Sequence, residues 1–534
     1  MAVSPSRLST ESESQSGKIE SIDAATGEVL KRFEAARTGE LPAIFERARA
    51  AQVAWAALAI LQRAAFLRRL RDVIYAHREE ICGVISRETG KPCIEALLQE
   101  ALVVIDTADF LARQGPRWLA RERVPHHNLA LKAKSAWVEY APRGVIAIIS
   151  PWNFPFAIPM TETIAALVAG NAVALKPSEL TPWTGELVGR MVREAGFPDG
   201  LLQILQGGGE IGAAMIEAGP AKVFFTGSVA TGRRIAEACA RKLIPSVLEL
   251  GGKDAMIVLD DADLQTASSA AVWGAFNNCG QACIGVKRIY VERGAAEKFT
   301  GMCVEKTKRL RLGPPGDPDA EVGPLIRERQ LETIEAQLKQ AVAEGAEIAT
   351  GGRRKPELGL SFFEPTIVTR VNHSMAIMRE ESFGPLLAIQ AVESAEEAVA
   401  LANDSAFGLA ASVWTGDGGR GALIASKVRA GSVMVNDLVS YYGICEAPHG
   451  GSRESGWGRT HSRLGLLEMA DVKYVDVDRL PRVAKSWWFG YSARLLDAAR
   501  GFVDATFAPK GLRRLRAMAG RRGAAGMVFR GGKI

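Results

Sequence analysis

A long segment of helical periodicity opens the ordered part of the chain. Between residue 38 and about residue 115, apolar residues recur every three or four positions with charged residues between them. Gly90-Lys91-Pro92 interrupts this pattern, as expected where a helix ends. The segment 144–150, Gly-Val-Ile-Ala-Ile-Ile-Ser, is instead continuously apolar and β-branched, which predicts a strand buried on both faces.

Shorter runs of the same kind follow, with helical stretches between them. The predicted strands are 172–175, 222–226, 255–258 and 433–436, and predicted helices cover 183–195 and 208–218. Strands that alternate with helices predict an α/β fold with a parallel, doubly wound sheet. Of 534 residues, 47% are hydrophobic, which is enough for a large core, and the length predicts about three structural units. The sequence has no apolar run of 18 residues, so we predict no membrane-spanning helix.

Charge is unevenly distributed along the chain. The whole chain carries +6, but Arg479–Ile534 has 13 basic and two acidic residues, a formal charge of +11. Within this tail, the segment 492–507 has one apolar and one charged helical face, and three aromatic residues, 487–489, precede it. This pattern is typical of a peripheral contact with an anionic membrane, here through residues 487–522, and packing on the protein itself or across a dimer is the alternative. No recognition motif accompanies the charge, so we expect no nucleic-acid partner.

The seven cysteines are irregularly spaced and do not indicate a disulfide framework. No second Cys or His pair lies near Cys279 and Cys283, so no metal site is predicted. We therefore expect a reducing, cytoplasmic setting. Residues 1–16 are Ser-rich and lack the apolar core of a secretory signal, which predicts a disordered arm.

Three segments carry residue types suited to carbonyl chemistry. Cys283, at the end of Phe-Asn-Asn-Cys-Gly-Gln-Ala-Cys, could attack a carbonyl carbon, although a single Cys more often packs as a small hydrophobe. Glu249 ends an apolar run just before Gly251-Gly252, where burial would raise its pKa toward that of a general base; a turn residue is the alternative. Asn153 lies between two prolines and could donate to an oxyanion, a contact whose loss costs about 10²- to 10³-fold in rate. A Pro-rich turn with Trp152 and Phe154 in the core is the alternative.

Two other segments indicate contacts with a nucleotide. Gly227, Ser228 and Gly232 follow a predicted strand and begin a predicted helix, whose N-terminus could bind a pyrophosphate. Their spacing differs from the standard dinucleotide fingerprint. Lys176 and Glu179 follow another buried strand and could meet ribose hydroxyls.

Together with Glu381-Ser-Phe-Gly-Pro385, these segments resemble, in order and spacing, the motifs of the aldehyde dehydrogenase superfamily over about residues 22–477. The resemblance implies a Rossmann-type cofactor domain, an α/β catalytic domain and a small β oligomerisation flap. The expected boundaries are 1–16 for the arm, 17–120 and 142–251 for the NAD-binding domain, 252–450 for the catalytic domain, 121–141 and 451–478 for the flap, and 479–534 for the basic amphipathic extension.

The resemblance also implies residue roles. Cys283 would attack the aldehyde, Asn153 and the Cys283 backbone N–H would hold the oxyanion, and Glu249 would activate the water that cleaves the thioester. The implied cofactor-binding residues are Trp152, Lys176, Glu179, Gly227, Ser228, Gly232, Glu381 and Phe383. Glu179 should repel a 2′-phosphate, which favours NAD as cofactor and leaves NADP as the alternative.

One motif departs from the family pattern. Residues 448–460 correspond to the motif Pro-Phe-Gly-Gly-x-Lys-x-Ser-Gly-x-Gly-Arg-Glu, which is common in the family. They differ from it at His449, Arg453 and Thr460. In the family this segment usually lies near the substrate entrance and the subunit interface, so the changes bear on specificity more than on catalysis. His449 also has an ordinary interpretation as a packed ring in a loop.

These features predict oxidation of an aldehyde to a carboxylic acid. Glu249 favours hydrolysis over transfer to CoA, because CoA-acylating relatives typically lack this residue. Apolar neighbours of Cys283 favour an apolar medium- or long-chain or aromatic aldehyde, and succinate semialdehyde is the alternative if Arg453 or another distant arginine reaches the pocket. An alternative of another class is a catalytically silent membrane-surface scaffold. The expected assembly is a homodimer or homotetramer, in the cytoplasm or peripherally on a membrane.

Overall fold

The computed structural model describes residues 17–128, 131–485, 487–509 and 511. The predicted arm, residues 1–16, and most of the basic stretch after Pro509 lie outside these residues. One compact unit comprises the chain up to Leu119 together with Ala141–Asp471, and a second comprises Ala120–Tyr140 and the chain from Val472.

Strands account for most of the buried framework. In chain order they are β1 Lys18–Ile22, β2 Val29–Glu34, β3 Glu122–Val124, β4 Lys134–Pro142, β5 Val145–Ile149, β6 Ala172–Lys176, β7 Leu202–Ile204, β8 Lys222–Thr226, β9 Ser246–Glu249, β10 Asp254–Val258, β11 Val286–Glu292, β12 Glu347–Thr350, β13 Thr366–Thr369, β14 Leu386–Val392, β15 Ala410–Trp414, β16 Ser432–Val435, β17 Gly456–Trp457 and β18 Ala470–Asp478.

Helices flank these strands. They are α1 Leu41–Ala56, α2 Ile60–Thr89, α3 Cys93–Ala96, α4 Leu102–Trp118, α5 Ala157–Ala169, α6 Pro182–Glu194, α7 Gly209–Glu217, α8 Val229–Arg241, α9 Leu264–Phe276, α10 Arg293–Lys308, α11 Glu328–Ala343, α12 Ala376–Arg379, α13 Ala395–Asn403, α14 Gly418–Ala425, α15 Ser462–Glu468 and α16 Ala493–Phe507, with a π-helical turn at Leu97–Ala101 between α3 and α4.

Two mostly parallel sheets form the first unit. The six-stranded sheet has the order β17-β9-β8-β5-β6-β7, and the seven-stranded sheet has the order β12-β13-β14-β11-β10-β15-β16. Only β17 and β12 run antiparallel to their neighbours among these described strands. Each sheet has its own apolar core, and every residue of β5, β6 and β10 is buried. The predicted parallel α/β class is confirmed.

The predicted elements agree with the structure to within one or two residues. Strand 144–150 appears as β5, and the strands predicted at 172, 222, 255 and 433 appear as β6, β8, β10 and β16. Gly90 ends α2 in a left-handed conformation with φ of 81°, which a glycine adopts without a steric penalty. The periodic segment 38–115 therefore contains several helices, of which α2 is the longest.

The second unit contains most of a three-stranded sheet of order β18-β4-β3 and the helix α16. The Ser492 hydroxyl accepts the Leu495 N–H and caps α16, which confirms the predicted helix 492–507. In the described parts of the chain, no single helix has the length and apolarity to cross a bilayer. The segments Thr38–Ala56 and Ile60–Thr89 meet these criteria only as a pair, which is bent by 114°.

Candidate active site

The predicted site residues follow the carboxyl ends of parallel strands in the six-stranded sheet. Glu249 and Lys176 are the last residues of β9 and β6, Asn153 follows β5, and Gly227 and Ser228 follow β8. Because β9, β8, β5 and β6 are neighbours in this order, their carboxyl ends share one sheet edge. Ligands of open parallel sheets bind at this edge.

Cys283 approaches this edge from the other sheet. It lies between α9 and β11, at the amino end of the strand that pairs with β10. Only Leu250–Lys253 separates β9 from β10, so the carboxyl end of one sheet faces the amino end of the other. Cys283 and Glu249, 34 positions apart, therefore line one cavity.

The turn that precedes Cys283 is conformationally unusual. Asn278 and Cys279 have φ of 49° and 52°, values that cost non-glycine residues roughly 1–3 kcal/mol each. Gly280 has φ of 71°, and a Cβ there would overlap the carbonyl of Gly384. The buried Lys287 ammonium holds the turn by donating to the Gly280 carbonyl at 2.5 Å. Strain of this kind is typical of functional sites.

Asn153 is fixed by contacts with this turn and with a buried ion pair. Its Nδ2 donates to the Gln281 carbonyl at 3.0 Å, which leaves the second hydrogen of the amide for another acceptor. Its own carbonyl accepts the Lys91 Nζ at 3.0 Å, and that ammonium donates to Glu100 at 2.5 Å. The other oxygen of Glu100 accepts the N–H groups of Phe156 and Ala157 at the start of α5.

The thiol of Cys283 is protonated in this environment. Burial raises its pKa to about 12, and the carboxylates of Asp254, Glu381 and Glu249 contribute further, against an opposing N–H from Ile284. The few per cent of thiolate that an ordinary Cys has near pH 7 is therefore not present at Cys283. The thiol needs a proton acceptor, or added positive charge, before it can react.

Glu249 is also shifted away from its charged form. Burial raises its pKa well above the usual range, the nearby Glu162 adds to the shift, and Arg459 opposes it. Neither carboxylate oxygen has a hydrogen-bond partner among the described residues. The burial expected from the sequence is thus present, and it raises the pKa of Glu249 in the direction that a general base requires.

A large cavity leads to Cys283. It encloses about 1030 Å³ of empty space, part of it open to solvent, and its wall is predominantly apolar. The apolar lining residues come from separate elements and include Leu98, Val103, Phe154, Ile158, Trp273, Ile284, Leu409 and Val439. None of the described residues that line this cavity is a lysine or an arginine.

Arg453 does not supply the cation that a semialdehyde would need. Its guanidinium donates to the carbonyls of Asn403 and Ser405, at 2.8 and 2.6 Å, and it does not line the cavity. The expectation that Arg453 could reach the pocket is wrong, because these two carbonyls hold the side chain elsewhere.

The predicted cofactor residues come from both sheets: Trp152, Lys176 and Glu179 lie at or after the ends of strands of the six-stranded sheet, and Glu381 and Phe383 precede β14. Trp152 and Phe383 pack edge to face with centroids 5.3 Å apart. Glu381 accepts the Gly252 N–H at 3.0 Å, and Glu179 accepts from Lys176 at 3.3 Å. Two carboxylates suited to ribose hydroxyls and one aromatic pair are thus held by contacts with their neighbours.

The turn from β8 to α8 fits a phosphate group. Side chains are excluded at Gly227 and Gly232, where a Cβ would overlap Phe225 and Leu250. The Ser228 hydroxyl accepts the Thr231 N–H and caps α8. The bare backbone and the helix N-terminus together suit an anion, so these residues fit a dinucleotide.

The wall beside Glu249 has a polar sector, in which His449 and Thr460 lie as the resemblance implied and Glu162 was not predicted. Glu162, on α5, and Thr460 and His449, from the departing motif, face the cavity there. Burial raises the pKa of Glu162 to about 8. One signal was visible: Glu162 is the one ionisable residue in the otherwise uncharged α5, which is almost entirely buried.

The sequence and the fold are both similar to those of known proteins. The sequence profile described as the aldehyde dehydrogenase family matches residues 10–475. The chain belongs to the aldehyde dehydrogenase family. Enzymes of this family are oxidoreductases that act on aldehydes with NAD(P).

Individual relatives of this aldehyde dehydrogenase cover nearly its whole length. It is 37% identical over 488 residues to 4,4'-diapolycopene aldehyde oxidase of Methylomonas sp, a match that spans 91% of both chains. It is 38% identical over 467 residues, 87% of this chain and 89% of the relative, to a protein of Mycolicibacterium smegmatis provisionally named succinate-semialdehyde dehydrogenase (NADP(+)). The NAD+ complex of aldehyde dehydrogenase from Bacillus cereus matches with a TM-score of 0.82 at 34% identity, over 86% of this chain and 93% of that one.

Proposed function

We propose that this aldehyde dehydrogenase oxidises an apolar, medium- to long-chain or aromatic aldehyde to its carboxylic acid. The observation that carries the proposal is the large apolar cavity that ends at Cys283 and has no lysine or arginine among its described lining residues. An apolar chain gains roughly 0.8 kcal/mol for each methylene that it buries in such a site. A distal carboxylate would have no cation to compensate its desolvation.

In the first half-reaction, the sulfur of Cys283 forms a bond to the aldehyde carbon, and its proton passes to water in the cavity, which is partly open to solvent. The carbonyl oxygen becomes an oxyanion, which the free N–H of the Asn153 amide and the Cys283 backbone N–H are proposed to hold. The predicted cofactor residues, Glu381 and Phe383 among them, would hold NAD(P)+, which would supply the acceptor for the hydride that leaves this carbon. The carbonyl re-forms, and the acyl group remains on Cys283 as a thioester.

In the second half-reaction, Glu249 takes a proton from a water molecule as that water attacks the thioester carbon. The carbon–sulfur bond breaks, a carbon–oxygen bond forms, and the sulfur regains a proton. Glu249 must be ionised for this step, and its burial beside Glu162 works against ionisation. Hydrolysis should therefore become faster as the pH rises.

The cofactor preference follows from Glu179 and its partner. A carboxylate beside the adenosine ribose accepts from a hydroxyl and repels a 2′-phosphate, so NAD is the proposed cofactor. Lys176, at 3.3 Å from Glu179, is the cation that would favour NADP if the carboxylate were absent. Both cofactors occur in the names of similar proteins.

The first test is NADH formation with an aldehyde panel. The panel runs from hexanal to dodecanal and includes benzaldehyde, succinate semialdehyde and 4,4'-diapolycopene aldehyde, for which one relative is named. Cys283→Ala should abolish turnover, whereas the matched Cys93→Ser, at an exposed thiol outside the cavity, should keep it. We expect kcat/KM to rise with chain length. A preference for succinate semialdehyde over dodecanal would refute the apolar pocket.

A contact with an anionic membrane is a second proposal, carried by the segment before α16 and by α16 itself. Trp487, Trp488 and Tyr491 are exposed, and Phe489 is 91% exposed. One stripe of α16 also presents Leu496, Val503 and Phe507 to solvent. Aromatic and apolar side chains that are followed by a strongly basic sequence suit a negatively charged lipid surface.

Vesicle co-sedimentation tests this contact with the full chain. Replacing Trp487, Trp488 and Phe489 by Ser should reduce pelleting with phosphatidylserine-containing vesicles and leave the low binding to phosphatidylcholine unchanged. Leu243→Ser, at an apolar residue that is also 91% exposed but lies in the first unit, is the matched control. Equal pelleting of the triple variant and the wild type would refute the membrane contact. The alternative function, a catalytically silent scaffold on a membrane surface, would then have no supporting feature in the chain.

We also propose a homodimer or homotetramer assembled through the three-stranded sheet. Its edge strand β18 exposes Val472, Tyr474 and Val477, and an unpaired edge with apolar side chains is a natural pairing surface. Light scattering after size-exclusion chromatography gives the mass directly. A monomeric wild type would refute the assembly.

The domain boundaries predicted from the sequence are also a proposal. Limited proteolysis tests them, with cleavage expected near residues 120, 142, 251 and 451.

A further inference from the structure

The proposed base has no hydrogen-bond donor, although a donor lies just out of reach. Both oxygens of Glu249 are buried and without a partner among the described residues. The nearest basic nitrogen is Nε2 of His449, 3.7 Å from Oε2. This distance is too long for a hydrogen bond, and a shift of less than 1 Å would make one.

Backbone hydrogen bonds and ring contacts hold His449 in place. Its backbone N–H and carbonyl both pair with Thr460, at 2.9 and 2.8 Å. Its ring stacks on Tyr441, with centroids 5.6 Å apart and planes at 27°, and meets Tyr442 edge to face at 5.0 Å. The ring therefore keeps its plane, with Nε2 at 3.7 Å from Glu249 Oε2 and with Nδ1 buried and unpartnered among the described residues.

The imidazole is neutral in this site. Burial lowers the pKa of His449 to about 3, and His461 and Arg459 contribute to the same direction. A neutral ring carries one N–H, and Nδ1 has no acceptor that would favour the proton there. The tautomer with the proton on Nε2 therefore presents a donor to the Glu249 carboxylate.

We infer that His449 is a positioning residue that donates a hydrogen bond from Nε2 to Glu249 and so stabilises the ionised base during thioester hydrolysis. The inference rests on the proposed function, in which Glu249 activates water. The phenylalanine common in the family at this position has no donor, so this role would be particular to chains with a histidine there.

Other ionisable groups face the same pair and set its pH dependence. They are Glu162 from α5, Arg459 and His461 from the segment after residue 448, Tyr441 and Tyr442 from the preceding turn, and Cys283 from the opposite sheet. Of these, Glu162 opposes ionisation of Glu249, whereas Arg459 favours it.

The test separates the two half-reactions by pre-steady-state NADH formation. His449→Phe should keep the burst that reports thioester formation and slow the steady-state rate at pH 7 by about 10- to 100-fold, the usual effect of a lost hydrogen bond to a charged group. The pH at which the steady-state rate is half-maximal should rise by about one to two units, because a carboxylate that accepts no hydrogen bond ionises at a higher pH. His449→Gln, which keeps an N–H, should recover part of both effects.

A cofactor-free measurement gives a second readout. p-Nitrophenyl octanoate acylates Cys283 when the sulfur–carbon bond forms and the ester carbon–oxygen bond breaks, with p-nitrophenol leaving. Hydrolysis of the resulting thioester requires the same base. His449→Phe should therefore release one equivalent of p-nitrophenol at the wild-type rate and then turn over slowly.

His373→Phe is the control at another histidine, since this ring hydrogen-bonds with Tyr290 and Asp404 and does not line the cavity. A merely structural role for His449 would lower the unfolding temperature and the rate at all pH values, without a shift of the pH profile. Wild-type hydrolysis rates and an unchanged pH profile in His449→Phe would overturn the inference. Absence of any burst in the wild type would instead overturn the proposed function.

Discussion

Iodoacetamide should alkylate Cys283 far more slowly than an exposed thiol in the cofactor-free enzyme. With the pKa of this thiol raised to about 12, roughly one molecule in 10⁵ carries a thiolate at pH 7. An unperturbed Cys has a few per cent of thiolate, about 10³ times more. A thiolate of higher pKa is intrinsically more nucleophilic, by about 40-fold for this difference. The net expectation is a rate about 10² lower than that of an ordinary thiol.

The assay is alkylation at pH 6 to 11, followed by peptide mass spectrometry so that each cysteine is read separately. Cys93, which is exposed, is the internal control in the same sample. The rate at Cys283 should still be rising at pH 10. Adding NAD+ should accelerate alkylation at neutral pH, because a cationic ring next to the thiol offsets the carboxylates that surround it. A half-maximal rate below pH 9 without cofactor would refute the reasoning.

Three further predictions concern stability and cofactor choice. Since burial raises the pKa of Glu162 to about 8 from 4.5, the wild type should lose about 4 to 5 kcal/mol of stability as the pH rises across that interval. Glu162→Gln should therefore raise the unfolding temperature at pH 8.5 but not at pH 4.5, and the exposed Glu237→Gln should do neither. Glu179→Gln should increase kcat/KM for NADP relative to NAD by about tenfold, or 1.4 kcal/mol; an unchanged ratio would remove Glu179 from the cofactor site. Gly280→Ala should abolish turnover and lower the unfolding temperature, whereas Gly301→Ala, with no atom near its Cβ position, should leave both intact.

The sequence predicted the strands whose residues are uniformly apolar and missed a buried strand that carries charges. Strand β11, Val-Lys-Arg-Ile-Tyr-Val-Glu, is buried at all seven positions, although its pattern suggests an exposed segment. The ammonium of Lys287 and the guanidinium of Arg288 are satisfied by carbonyls of Gly280 and Lys253. These partners come from turns that only the folded chain brings close, so a pattern of polarity along the strand could not reveal them.

The same reason limits what could be predicted of the site. Cys283, Glu249 and Asn153 were found because each lies in a motif with a recognisable local context. The approach of His449 to Glu249 joins residues 200 positions apart and depends on the pairing of β17 with β9. The ion pair of Lys91 and Glu100, which supports Asn153, looked like the end of one helix and the start of another. Motifs therefore indicated the groups that are proposed to react, whereas their electrostatic environment could be described only from the fold.

In the first unit, the groups that are proposed to react and the residues that line the cavity lie on different elements. This separation has a consequence for how such enzymes diversify. The groups that are proposed to react lie at strand ends and after a strained turn, where a substitution such as alanine at Gly280 has no room. The cavity wall is assembled from the π-helical turn, α4, α5, α9 and the loop around Val439, each of which contributes only one to four side chains. Selection for a new aldehyde can thus exchange wall residues one at a time while the reaction continues. Laboratory evolution of this enzyme should accumulate its beneficial changes in the wall and almost none between residues 277 and 283.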